Sequence, residues 1–152
     1  MMCHEIETLG PWTAHIEAMD QTLAGSNLRA CVGAWRQAYS AALSDPGWRG
    51  LLTVANAARR LCALRGLAGE ATAWARETYW IALFRARQQC SLDGVLSAAA
   101  AFEQLGDHVA LEGSVRVAEV LATRTGEVAD AERLRVFMER RERPSRMAQQ
   151  EP

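Results

Sequence analysis

The residues best suited to bind a metal ion are three histidines and four cysteines, and they are scattered along the chain. Cys3 and His4 are neighbours, whereas His15 and His108 lie in different predicted helices. Zinc sites draw their ligands from pairs at short, regular spacings, and no C-x-x-C or similar pair occurs. We therefore predict no metal site and no cofactor. Such wide spacing also favours reduced thiols over a disulfide framework. The cysteines are Cys3, Cys31, Cys62 and Cys90.

Residues for acid–base or nucleophilic catalysis are present, but no catalytic spacing joins them. No serine occupies a G-x-S-x-G turn, and no glycine-rich phosphate loop occurs. Glu70 and Glu77 share one face of a predicted helix, where carboxylates are typically solvated. The Glu-x-x-His pairs of di-iron bundles are absent. We predict that the chain is not an enzyme and assign no catalytic residue; an active site assembled from scattered residues is the third alternative.

Tryptophan and arginine are the residues best suited to protein binding. The chain has five tryptophans, and all 17 of its basic residues are arginine. Arginine makes bidentate and stacked contacts, and exposed aromatic rings beside arginine often anchor interfaces. Arg76, Trp80 and Arg87 fall on one side of the fourth predicted helix and form our candidate protein-contact surface. The alternative for Trp80 is packing in the core.

Arginine is also abundant near the C-terminal end, where glutamates interrupt it. The formal net charge of -1 predicts no dominant interaction with a phosphate backbone. A solvated helix face is the expected role of this region, and contact with nucleic acid or an acidic partner is the minor alternative. The arginines are Arg133, Arg135, Arg140, Arg141, Arg143 and Arg146, and the glutamates are Glu132, Glu139 and Glu142.

Glycine and proline divide the chain into seven segments, each with helical periodicity. The hydrophobic content of 49% is supplied largely by alanine, which favours helices over strands. In the first segment Trp12, Ile16 and Met19 recur at helical spacing. We predict an all-α protein with one helical domain over residues 1–141 and a disordered polar tail over residues 142–152. The predicted N-caps include Ser26, Ser91 and Asp107.

The fourth and sixth helices are predicted to be covered on two sides. Small residues along one side of the fourth let a neighbouring helix approach closely. On the sixth, apolar residues nearly encircle the axis. The small residues of the fourth helix are Ala71, Ala75, Thr78, Ala82 and Ala86, and the apolar residues of the sixth are Val109, Leu111, Val115, Val117, Ala118, Val120 and Leu121.

Two features of the sequence bear on membranes and location. The first 25 residues lack a basic start and an apolar run, so we expect no signal peptide. No apolar stretch has the length needed to cross a bilayer. Together with the expected reduced thiols, these features predict a cytoplasmic protein that does not bind a membrane.

An internal repeat relates two segments, because the pattern of Leu51–Leu61 recurs in Val95–Leu105. Further along, the run Gly126-Glu127-Val128-Ala129-Asp130-Ala131 is similar to the turn between the two helices of a tetratricopeptide repeat. The chain resembles a degenerate member of that family over about its last 60 residues. It departs from the family pattern in lacking Trp-x-x-Leu-Gly-x-x-Tyr and in a segment spacing of about 40 residues instead of about 34.

The resemblance implies about seven helices stacked as antiparallel hairpins in a right-handed array, and a compact helical bundle is the alternative fold. It also implies protein binding, because stacked hairpins present an extended surface to a partner. The predicted function is a helical-repeat adaptor or chaperone-like binder whose partner is another protein. The alternative is a small structural subunit of a larger complex, such as a ribonucleoprotein.

Overall fold

The computed structural model describes residues 9–25 and 27–149 of the chain. Within these residues the chain forms seven α-helices and no strand, so the predicted all-α class is confirmed. A short 3₁₀ turn, Leu61–Ala63, follows the third helix. The helices are α1 (Thr13–Ala24), α2 (Leu28–Ser44), α3 (Arg49–Arg60), α4 (Ala68–Gln88), α5 (Leu92–Leu105), α6 (His108–Thr125) and α7 (Val128–Gln149).

Several helix boundaries follow from local side-chain and glycine chemistry. The Ser91 hydroxyl accepts a hydrogen bond from the Gly94 amide at 3.1 Å and caps α5. Asp107 caps α6 in the same way through the Ala110 amide. Both caps are as predicted, since a side-chain oxygen at this position satisfies an amide that has no partner within the helix. Gly106 ends α5 with a φ of 75°, which a glycine adopts without strain.

Two predicted boundaries differ from the structure. Asn27 caps α2 by accepting from the Ala30 amide, while Ser26, the predicted cap, lies outside the described residues. We expected the third helix to end at Gly66, but α3 ends at Arg60 and passes into the 3₁₀ turn. The 3₁₀ turn tightens the last part of the helix and brings the chain round towards α4 earlier than the glycine indicates.

The odd-numbered helices contact one another through pairs of side chains at corresponding ends. In each pair both residues lie near the start, or both near the end, of their helices, so α1, α3, α5 and α7 run in the same direction. The pairs are Asp20 with Arg60 at 3.0 Å, Arg59 with Gln104 at 2.6 Å, and Asp93 with Arg133 at 3.0 Å.

The even-numbered helices also align with one another. The rings of Trp35 on α2 and Trp74 on α4 stack at 5.3 Å. Arg76 on α4 donates to Asp107 at the start of α6 at 3.0 Å. Because consecutive helices pack side by side and are joined by short loops, the odd and even helices run in opposite directions. This order of contacts favours stacked hairpins over a compact bundle, while the tetratricopeptide-like handedness stays a prediction.

Arg85 of α4 fixes the end of α2. Its guanidinium donates to the carbonyls of Ala42 at 3.2 Å, Leu43 at 2.8 Å and Gly47 at 3.1 Å, and also to that of Asp45. The last carbonyls of a helix have no partner within it, and a cationic donor also suits the negative end of the helix dipole. One side chain therefore both ends α2 and joins it to α4.

The predicted stripe of small residues on α4 is confirmed as a packing surface, because all five of its members are buried. Close packing of α4 against both α3 and α5 accounts for this. Between these helices lie the largest fully buried side chains, with Tyr79 of α4 edge-on to Phe102 of α5 at 5.9 Å. The indole N–H of Trp35 donates to the carbonyl of Val54 at 2.9 Å, so a buried polar group is satisfied.

The sixth helix is more exposed to solvent than predicted. Val109 is 82% exposed and Val120 is 50% exposed, so the prediction that the helix is covered on two sides is wrong for these two residues. The helix packs closely against α5, and four other apolar residues, Leu111, Val115, Ala118 and Leu121, are buried. An apolar strip of α6 therefore faces solvent.

The seventh helix extends further than the predicted domain boundary. The tail predicted over residues 142–152 overlaps α7, which continues through Pro144 to Gln149. Glutamate and arginine are good helix formers, and Arg135 pairs with Glu132 and Glu139 one turn away on either side. Residues 150–152 lie outside the described residues. None of the helices in the described part of the chain is long and apolar enough to span a membrane.

Two substitutions of Asp107 distinguish the contribution of the α6 cap to stability from that of the ion pair with Arg76. The Asp107→Ala variant loses both, and we expect its free energy of unfolding to fall by about 1 kcal/mol or somewhat more. The Asp107→Asn variant keeps a capping oxygen and loses only the ion pair with Arg76, which is 43% exposed, so we expect a loss of about 0.5 kcal/mol. Urea denaturation followed by circular dichroism measures both, and equal losses would contradict the assignment of the larger part to the cap.

Candidate functional site between helices α4 and α6

A cleft of about 520 Å³ lies between the C-terminal halves of α4 and α6. The two helices run in the same direction, and the cleft lies beyond the Arg76–Asp107 contact, towards their C-terminal ends. Its lining combines apolar and cationic side chains and includes no carboxylate. The lining residues are Phe84, Arg87, Gln88, Arg116, Val117, Val120, Leu121 and Arg124.

The apolar part of the cleft is continuous with the core. Phe84 is 53% exposed, and its ring stacks on Trp80 at 6.0 Å. The Trp80 ring in turn lies 5.1 Å from that of the fully buried Phe102. On the opposite wall, Leu121 is buried while Val120 is half exposed. The exposed ring of Phe84 therefore rests on a ring that is itself packed against the core. This packing limits the side-chain freedom that Phe84 has to lose when a partner binds.

The cationic part of the cleft is unpaired. Arg87, Arg116 and Arg124 make no hydrogen bond or ion pair with another described residue. Elsewhere arginines are engaged, as Arg60 is with Asp20 and Arg133 is with Asp93. Among the arginines whose side chains are described, those without a hydrogen bond, ion pair or ring contact are Arg29, Arg65, Arg87, Arg116, Arg124 and Arg140. Half of them converge on this cleft.

The sides of α6 differ in charge. Arg116 and Arg124 face the cleft with α4, whereas Glu119 lines a shallower groove between α6 and α7. Since no carboxylate of α6 lines the cleft, the positive charge there is not balanced locally. The cleft therefore combines a positive electrostatic potential with exposed apolar surface, and this combination suits a ligand that is both anionic and apolar.

The structure separates the three residues of the predicted contact surface. Arg87 lines the cleft and is exposed. Trp80 is partly buried, with its ring packed against the core. Arg76, about three turns before Arg87 on α4, is paired with Asp107 at the start of α6. The role of these residues in protein contact stays a prediction. Trp80 packs against the core and Arg76 is paired, so we expect these two to support the cleft while Arg87 contacts the partner.

Sequence reasoning missed the contribution of α6 to the site. Its signal was the excess of apolar positions around the axis, since a helix with two neighbours does not need Val109, Val117 and Val120 for its core. Arg116 precedes Val117, and Arg124 follows Val120 by one turn on the same side. An apolar strip interrupted only by arginine is unusual for a solvated face, and it could have indicated a binding surface.

Two other grooves are lined by fewer unpaired arginine side chains than the cleft between α4 and α6. Between α2 and α4, Arg36 lies over the Trp74 ring at 6.0 Å, and Glu70 shares the lining. Between α1 and α3, the polar lining includes the Arg60–Asp20 ion pair. Because charges of both signs are present in each, neither groove has the one-sided charge of the cleft between α4 and α6.

Titratable groups with shifted pKa values lie away from the cleft. Burial raises the pKa of Tyr79, and the nearby Arg59 partly opposes the shift. The Tyr79 hydroxyl donates to the side-chain oxygen of Asn56. A hydrogen bond from Arg135 lowers the pKa of Glu132 on the surface of α7. These shifts follow from packing and surface pairing, and none of them places a general acid or base beside the cleft.

Metal ligands do not come together in the described residues, where no group of three or more His, Cys, Asp or Glu side chains could hold an ion. The adjacent pair Cys3 and His4 lies outside those residues. Comparison of the chain with protein families, curated proteins and solved structures gives no significant match.

Proposed function

We propose that the protein is a protein-interaction module, a helical-repeat adaptor or chaperone-like binder, that uses the cleft between α4 and α6 to bind an acidic and apolar segment of a partner protein. The observation that carries the proposal is the convergence of Arg87, Arg116 and Arg124, all unpaired among the described residues, beside exposed Phe84 and Val120. Interfaces are enriched in arginine and aromatic residues at their centres.

A binding role also agrees with the chemistry of the cleft. Its lining contains no nucleophile and no carboxylate or histidine that could transfer a proton. Its only polar groups are three guanidinium groups and the amide of Gln88. Guanidinium groups form bidentate pairs with carboxylates, so the lining supports recognition of acidic side chains. The three described cysteines are free thiols, and this supports our placing of the module in the reducing environment of the cytoplasm.

The alternative function, a structural subunit of a larger complex, has one observation in its favour. Val109 at the start of α6 is 82% exposed, which suits a broad apolar contact. The form of this alternative that involves nucleic acid has less support, because Arg133 and Arg135 of α7 are already paired with Asp93 and with Glu132. Phosphate contacts depend on arginines that are available to the ligand.

Site-specific photocrosslinking in the cells that produce the protein tests the proposal. A photoreactive phenylalanine analogue at Gln88, which is exposed and lines the cleft, is expected to form a discrete adduct with a partner protein. The double variant Arg116→Glu/Arg124→Glu reverses the charge of one wall, so we expect about tenfold less adduct or a greater loss.

The matched control is the variant Arg65→Glu/Arg140→Glu, because Arg65 and Arg140 are equally unpaired among the described residues but lie outside the cleft. The net charge changes by the same amount in both double variants. We expect the control to crosslink as well as the original chain. An adduct that survives reversal of the cleft charges, or that decreases equally in the control, would contradict the proposed site.

A further inference from the structure

We infer that the segment held between α4 and α6 is an α-helix of about four turns, with two carboxylates spaced about two turns apart and a small residue where it passes Gly113. The inference rests on the proposed function and specifies the form and chemistry of the partner. It combines the backbone chemistry of the cleft walls, the uncovered strip of α6, and the positions of Arg116 and Arg124.

The walls of the cleft exclude an extended segment as the best occupant. Both α4 and α6 satisfy their backbone groups within their own helices, so the cleft presents no strand edge to a partner. The polar groups that line it belong to side chains, and Phe84 and Val120 would remove water from whatever lies beside them. An extended backbone buried there would leave N–H and C=O groups unpaired, whereas a helix brings its own hydrogen bonds. Helix-in-groove binding meets this requirement.

The length of the uncovered strip on α6 sets the length of the partner. Exposed Val109, Gly113 and exposed Val120 lie on the side of α6 that also carries Arg116 and Arg124. From Val109 to Arg124 the strip covers about 22 Å at 1.5 Å per residue. A partner helix of about four turns matches that distance, since it has the same rise.

Gly113 lowers the surface of α6 about one turn from the start of this strip. A Cβ atom built at Gly113 would meet no atom within 4 Å, so the space above it is open. Glycine in a helix interior is otherwise unfavourable by about 1 kcal/mol relative to alanine. An open glycine on an uncovered face lets a second helix approach closely, and the approaching helix would place a small residue there. Gly106 and Gly126, by contrast, are accounted for by their positive φ angles.

The two arginines of α6 determine the spacing of the partner's carboxylates. Arg116 and Arg124 are eight residues apart, which is about 12 Å along the axis. Carboxylates at positions i and i+7 of a partner helix are about 10.5 Å apart along its axis and fall on nearly the same face. Arg87 on the opposite wall gives the second of these carboxylates a further cation.

The test uses three fluorescently labelled synthetic peptides of about 18 residues and equal composition. The first is helical, with an alanine and leucine face, glutamates at i and i+7, and a small residue about one turn from the glutamate that would face Arg116. The second moves one glutamate to the opposite face. The third keeps the glutamate positions but has a proline and a glycine at its centre, which break the helix. The other two peptides carry the same proline and glycine at their ends, so all three have equal composition.

Fluorescence anisotropy with the full chain measures the dissociation constants. We expect the first peptide to bind about tenfold more tightly than the second or the third. The Gly113→Leu variant is expected to weaken binding of the first peptide by about tenfold as well, because the added side chain fills the open position. Leucine is a better helix former than glycine, so this variant should fold. Gly33→Leu, at a similarly open glycine on α2, is the matched control and should bind normally.

The outcomes separate this inference from the function on which it rests. Equal binding of the helical and helix-broken peptides, or unchanged binding by Gly113→Leu, would overturn the helical inference. The function would still stand if the variant Arg116→Glu/Arg124→Glu lost both peptides. Failure of all three peptides to bind at about 1 mM would overturn the proposed partner chemistry, while the photocrosslinking experiment decides independently whether any protein binds. Equal binding by the charge-reversed variant would contradict both.

Discussion

The Phe102→Ala variant is expected to lose about 3–5 kcal/mol of its free energy of unfolding, the range for removal of a buried phenylalanine ring. Phe102 is fully buried on α5, with its ring 5.9 Å from that of Tyr79 and 5.1 Å from that of Trp80. Both neighbours belong to α4, so removal of the ring leaves a cavity between the two helices that neither can fill by a small shift. Chemical denaturation followed by far-ultraviolet circular dichroism measures the loss.

Phe84→Ala is the matched control for this prediction. It removes the same group of atoms from a ring that is 53% exposed and contacts the same Trp80. We expect it to lose about 1 kcal/mol or less, because most of the ring is in water in both folded and unfolded chains. The same variant is expected to weaken binding at the cleft. Similar losses of stability in the two variants would contradict the assignment of Phe102 to the core and of Phe84 to the cleft.

The Gly94→Ala variant is expected to destabilise the protein by about 2 kcal/mol. A Cβ atom at Gly94 would lie 2.6 Å from the Cβ of Ala86 and 2.7 Å from the Trp48 ring, so α5 would have to move away from α4. Overpacking of this kind costs about 1–3 kcal/mol. Alanine recovers up to about 1 kcal/mol of helix propensity, but the clash here involves a Cβ atom and a ring that is itself buried. The melting temperature and the urea midpoint should both fall.

The same substitution at Gly33 is expected to raise the free energy of unfolding, the opposite of its effect at Gly94. Gly33 lies within α2, and a Cβ atom there would meet nothing within 4 Å. We expect this variant to gain about 0.5–1 kcal/mol from helix propensity and from the lower entropy of the unfolded chain. A loss of stability at Gly33, or a gain at Gly94, would mean that the packing of these helices differs from the contacts described.

The candidate site was only partly predictable because its two walls come from helices that are distant in sequence. Arg87 was identified from the concentration of aromatic and basic residues on one helix. Arg116 and Arg124 were not, because their lack of an acidic partner depends on where α4, α5 and α7 lie. Trp80 shows the same limit, since its position beside the core follows from the approach of Phe102 on α5.

The fold itself was more accessible to sequence reasoning. The all-α class, the number of helical segments and the buried stripe of α4 follow from composition and periodicity, which act along one helix. The direction and order of the helices depend on contacts such as Arg60 with Asp20 and Arg133 with Asp93. Each of these pairs joins residues about 40 positions apart, and no local pattern indicates which arginine meets which carboxylate.

The sequence by itself therefore determined where most helices begin and end and which residues are small or large along each. The physical reason is that capping, glycine conformation and amphipathic periodicity involve groups within a few residues of each other, as in Ser91 with Gly94. The tertiary structure alone decided which apolar and charged residues remain uncovered. A candidate binding surface of Val120, Arg116 and Arg87 exists only because α4 and α6 lie side by side and line one cleft. Exposure of that kind is a property of the whole packing arrangement.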